Sequence, residues 1–283
     1  MRIKKPIFII GSARSGTTIL YKLLSVHSEL CWFSNYSDKF PQISLLPICH
    51  KILDLPLIGS NQKKQIVNRK KYEGKFRLEP SEAPKIYHDY CGFIHHRKAT
   101  HKDYNPEKAE KLKRIIKNHL IYTSRNRFIS KQTANNQRLL MLEKIFPDAL
   151  YIHIIREGRA VANSLYQTPW WYETEIWWLK KTVKEWVNSG TGKSIELAAL
   201  HWKKDVAEIK EFAKVVKERY FELRYSELCK NTKANLKEIT KFCDLNWYNN
   251  YFNLLPNLLP NANHKWKKKL SDHDKALLNS IIE

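Results

Sequence analysis

The sequence predicts an α/β fold, a central parallel β-sheet flanked by helices, from three observations. Short apolar runs alternate with longer amphipathic segments along the chain. The run Leu150 to Ile155, LYIHII, is apolar almost throughout, as a parallel strand buried on both faces requires. The run Gly11 to Thr18, GSARSGTT, lies between a strand-like stretch and a helix-like pattern, at the kind of junction where such sheets bind ligands.

Taken in order, Pro6 to Ile10 reads as the first strand, and Ile19, Leu20, Leu23, Leu24 and Val26 fall on one face of a following helix. Residues 31–100 read as irregular, interrupted by Pro41, Pro47, Pro56, Pro80 and Pro84, in the manner of an insertion facing a substrate. Residues 106–121 read as a helix opened by Pro106 at its first position. Residues 127–130 suit a short strand, and 136–146 a helix ending before Pro147. After LYIHII comes REGRAVANSLY, a second strand-to-helix transition. A long amphipathic helix is expected over 194–218, a strand at YFELRY, and helices over 231–243 and 271–282. With no repeat and no low-complexity linker, the 283 residues are expected to form a single domain, 1–283, in which 31–100 and 166–190 are acceptor-facing or lid segments.

Composition narrows the partners. A hydrophobic content of 43% can fill a sizeable core, which excludes a globally disordered chain. A net charge of +22 calls for an anionic partner: nucleic acid, an acidic membrane face, a polyanionic glycan or a multiply phosphorylated cofactor. The basic residues are spread out and no stretch reads as a DNA-recognition motif, so no nucleic acid is expected. The five cysteines, Cys31, Cys49, Cys91, Cys229 and Cys243, are odd in number and lack a CxxC pair, which suggests neither a disulfide framework nor a zinc site. A reducing, cytoplasmic setting follows, peripheral to the inner membrane face if the basic clusters meet lipid. No signal peptide or membrane span is read from the chain.

The glycine-bounded run makes a phosphate cradle, with backbone N–H groups and the positive end of a helix dipole aimed at one point. It differs from a Walker A loop because Thr17 occupies the lysine position and the cation comes earlier, as Arg14. A nucleotide kinase would thereby lose the lysine that bridges its β- and γ-phosphates. An ordinary strand–turn–helix junction is the competing account. Downstream, Arg156 ends the buried strand and Ser164 lies eight residues on, a pair suited to a second phosphate; a surface ion pair is the plainer reading of Arg156 alone.

Four segments in this order resemble the PAPS-dependent sulfotransferase superfamily over nearly the whole chain, with a flavour closer to its bacterial and carbohydrate-type branches. PIFIIGSARSGTTILYKLLSVHSEL resembles the family's 5′-phosphosulfate loop and helix, which makes Gly11, Ser12, Ala13, Arg14, Ser15, Gly16, Thr17 and Thr18 its candidate contacts. FPDALYIHIIREGRAVANSLY resembles the 3′-phosphate motif, with Arg156 and Ser164 at the matching positions. ELRYSELCKNTKANLKEITKFCDL resembles the segment whose Tyr, here Tyr225, lies near the adenine, and HKWKKKLS resembles the C-terminal element that brings Trp266 and Lys267 over the cofactor. Arg14 stands in for a basic residue, usually Lys, of the animal enzymes' loop.

The resemblance implies a P-loop-like sulfotransferase fold and 3′-phosphoadenosine 5′-phosphosulfate (PAPS) as donor, leaving PAP as product, with no metal required. It implies in-line transfer to a hydroxyl or amine of a glycan, glycolipid or small-molecule acceptor. Lys131, in KQTANNQR, resembles a family lysine near the sulfuryl group, and a surface lysine is the alternative. A general base is expected after the 5′ loop: Glu82 first, in LEPSEAPKIY, then Asp38, in SNYSDKF. Glu82 equally suits a helix N-terminus. His27 reads as a cap at the end of the first helix, and His88, His95 and His96 are candidates by residue type alone. Trp170, Trp171, Trp177, Trp178 and Trp186 form either an acceptor platform or a helical lid packed on the core. A P-loop nucleotide kinase, a non-catalytic polyanion-binding protein and a cofactor-binding fold without turnover are the other readings.

Overall fold

The computed structural model describes residues 2–68, 77–93 and 97–283. The chain forms β1 (Ile7–Ile10), α1 (Thr17–Ser25), β2 (Leu30–Cys31), α2 (Asn35–Lys39), α3 (Pro56–Asn68), α4 (Pro106–Thr123), β3 (Arg127–Lys131), α5 (Leu139–Ile145), β4 (Leu150–Ile155) and α6 (Gly158–Tyr166). It continues through β5 (Glu175–Ile176), β6 (Lys181–Thr182), α7 (Val183–Asn188), α8 (Ser194–Val216), β7 (Tyr220–Arg224), α9 (Tyr225–Lys230), α10 (Thr232–Phe242), α11 (Asn249–Leu254), α12 (Lys265–Lys269) and α13 (Asp272–Ile282).

The main sheet has five strands in the order β2-β3-β1-β4-β7, and every neighbouring pair is parallel. β1 is the switch point, hydrogen-bonded to β3 on one side and β4 on the other. Both faces of the sheet are buried along β1, β3 and β4. Ile7, Ile9, Ile152 and Ile154 point into one core with α1 and α10, whereas Phe8, Ile10 and Tyr151 point into a second core with α4 and α5. This alternation is the pleat of a strand acting on an uninterrupted apolar run, and it explains why LYIHII lacks polar positions apart from His153. A third cluster gathers α6, α8, α13 and the tryptophan segment.

The expected strands and long helices are present within a few residues, and α4 starts at Pro106 with Asn105 accepting from the Lys108 N–H. Two expectations need correction. Residues 31–100 are not irregular throughout: a 3₁₀ segment at Leu46–Asp54, the 13-residue α3 and a short π-helical turn at Lys85–Tyr90 occupy much of the described part. Pro47 and Pro56 sit at the starts of two of these elements, where the missing N–H costs nothing, so they open helical structure instead of breaking it. The tryptophan segment is not one helix. It is a 3₁₀ turn at Pro169–Trp171, the antiparallel β5–β6 pair, and α7 capped by a Thr182–Glu185 capping box. The basic triplet Arg69-Lys70-Lys71 and the histidines His95 and His96 lie outside the described residues.

The five cysteines are unpaired with one another. No described helix is long and apolar enough to cross a membrane.

Several histidines are buried. His153 on β4 is hydrogen-bonded to the Tyr220 hydroxyl at 2.6 Å, and His119 lies between the Ile115 carbonyl (2.9 Å) and Ser37 Oγ (3.0 Å). His27 does not cap α1 as a cation: it is buried and bonded to the Asn246 carbonyl at 2.8 Å, and burial lowers its pKa. Burial pushes His153 down to about 3 and His119 down to about 4. These imidazoles are neutral in the folded chain, whereas the unfolded chain protonates them below its ordinary value near 6.5. Their contribution is therefore complete above pH 6.5 and is lost as pH falls toward 4 and 3. We expect His119 and His153 each to cost about 2 kcal/mol of stability at pH 5. Urea unfolding at pH 7.5 and pH 5 checks this, and equal midpoints would contradict it.

Candidate active site

Four strands end at the same edge of the sheet, and each delivers a candidate residue there. Gly11 follows β1, Lys131 is the last residue of β3, Arg156 follows β4, and Tyr225 follows β7. Parallel pairing makes this convergence obligatory, because parallel strands put all their carboxyl ends on one side.

The loop from Gly11 to Gly16 is held from below by one side chain. Asn136 donates through Nδ2 to the Gly11 carbonyl (2.9 Å) and accepts from the Gly11 N–H through Oδ1 (3.2 Å). Two glycines are required by space as well as by conformation. Gly11 has φ 147°, and a Cβ there would lie 2.6 Å from the Ile154 carbonyl oxygen. Gly16 has φ 99°, and its Cβ would lie 2.6 Å from the Tyr225 ring. Gly16 is also the N-cap of α1 and offers no capping side chain, so the first N–H groups of that helix remain for a ligand. Within the loop, Ser12 Oγ and Ser15 Oγ are buried and have no hydrogen-bond partner among the described residues. Thr17 is buried, whereas Arg14 and Thr18 are exposed and Ala13 is half-buried.

Arg14 and Ser164 meet directly, Arg14 Nε donating to Ser164 Oγ at 2.9 Å. Arg156 is buried and forms no ion pair among the described residues. Its guanidinium donates to the Arg14 carbonyl (2.9 Å), the Ala262 carbonyl (3.0 Å) and Asn263 Oδ1 (2.9 Å), and it lies 4.8 Å from the centre of the Tyr225 ring. Burial lowers its pKa from the ordinary arginine value. Tyr225 donates to the Pro260 carbonyl at 3.1 Å, so the C-terminal segment is tied to the same edge. Trp266 packs on the third core, as Ala13 of the loop does, with the Arg159 guanidinium 5.6 Å from its ring, and Lys267 is exposed beside it.

Lys131 is not a surface lysine. It is 2% exposed, and its Nζ donates to Thr18 Oγ1 at 3.2 Å and to the Glu82 carboxylate. Burial pushes its pKa below the ordinary lysine value, against the opposing pull of Glu82. Glu82 Oε2 also accepts from the N–H and hydroxyl of Thr133, both at 3.4 Å. The Glu82 side chain is 40% exposed, so its carboxylate bridges the buried lysine and the open edge. It does not cap the turn at Lys85. Asp38 does that, accepting from the Ile86 N–H and from the Ser81 hydroxyl, each at 3.2 Å. Asp38 is therefore not brought into the Lys131 cluster, and burial raises its pKa. His88 is bonded to the Phe93 carbonyl at 3.3 Å.

Asn136 and Asn263 are the residues that sequence reasoning passed over. Each binds backbone or guanidinium across more than a hundred residues of chain, and neither belongs to a periodic pattern. A cavity of about 330 Å³ opens beside the loop, bordered by Ala13, Thr133 and Trp177.

The crowding at Gly16 sets a test. Gly16→Ala is expected to destabilise the fold by about 1–3 kcal/mol, because both backbone and side-chain space resist it. Gly190→Ala shares a positive φ (70°) but has open space around it, and should cost less. Denaturant unfolding of both variants checks the order.

The chain matches the sulfotransferase family over residues 6–249. Among solved structures it is similar to sulfotransferase STF1 from Mycobacterium tuberculosis H37Rv, with TM-score 0.59 and 17% identity over 99% of this chain and 77% of that one. STF9 from Mycobacterium avium gives TM-score 0.58 and 18% identity over 90% of this chain and 67% of that one. The sulfotransferase domain of the curacin biosynthetic pathway gives 0.54 and 14% over 99% and 98%. At these identities the structures show a shared fold. No curated protein matches in sequence. The family match over residues 6–249, most of the chain, shows that this protein belongs to the sulfotransferase family, and the parallel five-stranded sheet is in keeping with it.

Proposed function

We propose that the chain transfers a sulfuryl group from PAPS to a hydroxyl or amine of a glycan, glycolipid or small-molecule acceptor, with Glu82 as general base. The observation that carries this reading is the Lys131–Glu82 pair, which stands at the loop through Thr18 and keeps one carboxylate open. The donor's chemistry fits the residues present. The loop has two buried hydroxyls without partners, an uncapped helix N-terminus and an adjacent arginine, which together suit a 5′-phosphosulfate group. Arg156 and Ser164 would hold the 3′-phosphate, with Arg14 shared between the two ends. Tyr225 would lie against the adenine, and Trp266 and Lys267 would close from the C-terminal side.

PAPS brings sulfur already bonded to a good leaving group: the acceptor oxygen bonds to sulfur as the sulfur–oxygen bond to the 5′-phosphate breaks and its electron pair departs with the phosphate. The remaining work is positioning and charge stabilisation. The Glu82 carboxylate takes the proton from the attacking hydroxyl. Lys131 Nζ holds that carboxylate in place and puts a positive charge beside Thr18, where charge grows during transfer. Thr17 and Thr18 add hydroxyl donors. A nucleotide kinase is disfavoured by Thr17 in the lysine position. Contact with an anionic membrane surface belongs to the same reading, supported by the net charge of +22 and by exposed Leu57 and Ile58.

Isothermal titration with PAP, adenosine 5′-phosphosulfate and ATP tests the donor site. PAP should bind at least tenfold more tightly than the other two, and Arg156→Ala should remove most of that preference. ATP binding as tightly as PAP would overturn the reading. For the base, Glu82→Gln should lower the transfer rate by about 10²–10⁴ while PAP affinity changes little. An unchanged rate, followed as PAP release from PAPS in the presence of acceptor, would exclude Glu82.

A further inference from the structure

The cavity beside the loop has a charge opposite to that of the chain. The protein carries a net +22, yet Glu173, Glu175 and Asp205 line this space and, among the described residues, no lysine or arginine does. Its walls are aromatic: Trp170, Trp171 and Trp177. At about 330 Å³ it lies in the range of small-molecule sites.

The walls are held in place. Trp177 Nε1 donates to Asp205 Oδ1 (3.2 Å), which also accepts from Gln137 Nε2 (3.4 Å), and the other oxygen of Asp205 lies 3.4 Å from His201 Nε2. Trp171 is 1% exposed and its Nε1 donates to Ser194 Oγ at 3.0 Å. Asp205 thus positions an indole, and the carboxylates left for a ligand are those of Glu173 and Glu175. Glu173 is exposed and 3.9 Å from the equally exposed Lys184. Glu175 is half-buried on β5, and its carboxylate has no partner among the described residues. An unpaired carboxylate attracts a cation, and the faces of tryptophan rings attract the same cation.

The cavity also reaches the reacting edge. Ala13 of the loop borders it, and so does Thr133, whose hydroxyl donates to Glu82. We propose that this cavity is the acceptor site and that it selects an acceptor bearing an ammonium group, with the nitrogen near Glu175 and Trp177 and a hydroxyl extended toward Glu82. This inference rests on the sulfotransferase reading. A neutral sugar stacked on the indoles is the rival occupant.

Calorimetric titration of PAP-saturated protein decides the matter, with choline and its uncharged carbon isostere 3,3-dimethylbutan-1-ol as probes and glucose as the neutral sugar. Choline should bind at least tenfold more tightly than either uncharged compound. Glu175→Gln should remove most of that preference and leave PAP affinity unchanged. Trp177→Leu should weaken choline at least tenfold, with circular dichroism confirming that the variant folds. No choline binding, equal binding of choline and its isostere, preference for glucose, or a preference surviving Glu175→Gln would each overturn the proposal. PAP binding alongside any of those results leaves the donor assignment standing, whereas failure of PAP to bind overturns both.

Discussion

Everything at the candidate site depends on the pairing of β1 with β3 on one side and β4 on the other. With Ile9 opposite Lys131 and opposite Ile152, the three strands end within three residues of one another. The glycine loop, Lys131 and Arg156 then emerge side by side without any side chain having to reach. The pairing is stable because both faces are covered. The pleat sends alternate residues of β1 and β4 into two separate cores that are predominantly apolar. A one-residue slip would exchange the two faces and move every strand end, so burial and site geometry are set together.

The cations at this edge differ in their partners, and the difference matters for an anionic donor. Arg156 is satisfied by two backbone carbonyls and an asparagine oxygen, which meet its hydrogen-bonding needs without cancelling its charge. Arg14 bonds a serine hydroxyl, again leaving its charge intact. Lys131 alone among these faces a carboxylate, and that carboxylate is partly exposed to solvent. Positive charge is thus retained at the glycine loop and at Arg156, whereas the charge of Lys131 is paired. The neighbouring cavity reverses the sign again with carboxylates and indoles. The two neighbouring regions thus carry opposite local charge within a few residues of each other along the sheet edge.

Individual residues show how far the sequence was legible. LYIHII became β4 with the same bounds, and Pro106 opened α4, because local pattern and local chemistry suffice for such elements. Arg14 was recognisable from its place in a glycine loop. Asp38 and Glu82, by contrast, are both acids in a proline-interrupted stretch, and nothing local distinguishes them. Only the folded chain brings Glu82 against Lys131 and spends Asp38 on the turn at Lys85. Asn136 and Asn263 carried no signal, since an amide that braces a distant backbone looks like any surface amide in sequence.

The sequence by itself determined the alternation of strands and helices, the glycine loop with its displaced cation, and the arginine and serine that follow the fourth strand. These are written in periodicities and short spacings, which act over a few residues. Tertiary structure decided which acid meets the buried lysine, which carbonyls hold Arg156, and that five scattered tryptophans divide between a core and the wall of an acidic cavity. Those outcomes follow from contacts between residues far apart in the chain. They exist only once the sheet has brought its strand ends together, because hydrogen bonding and burial act through space and not along the sequence.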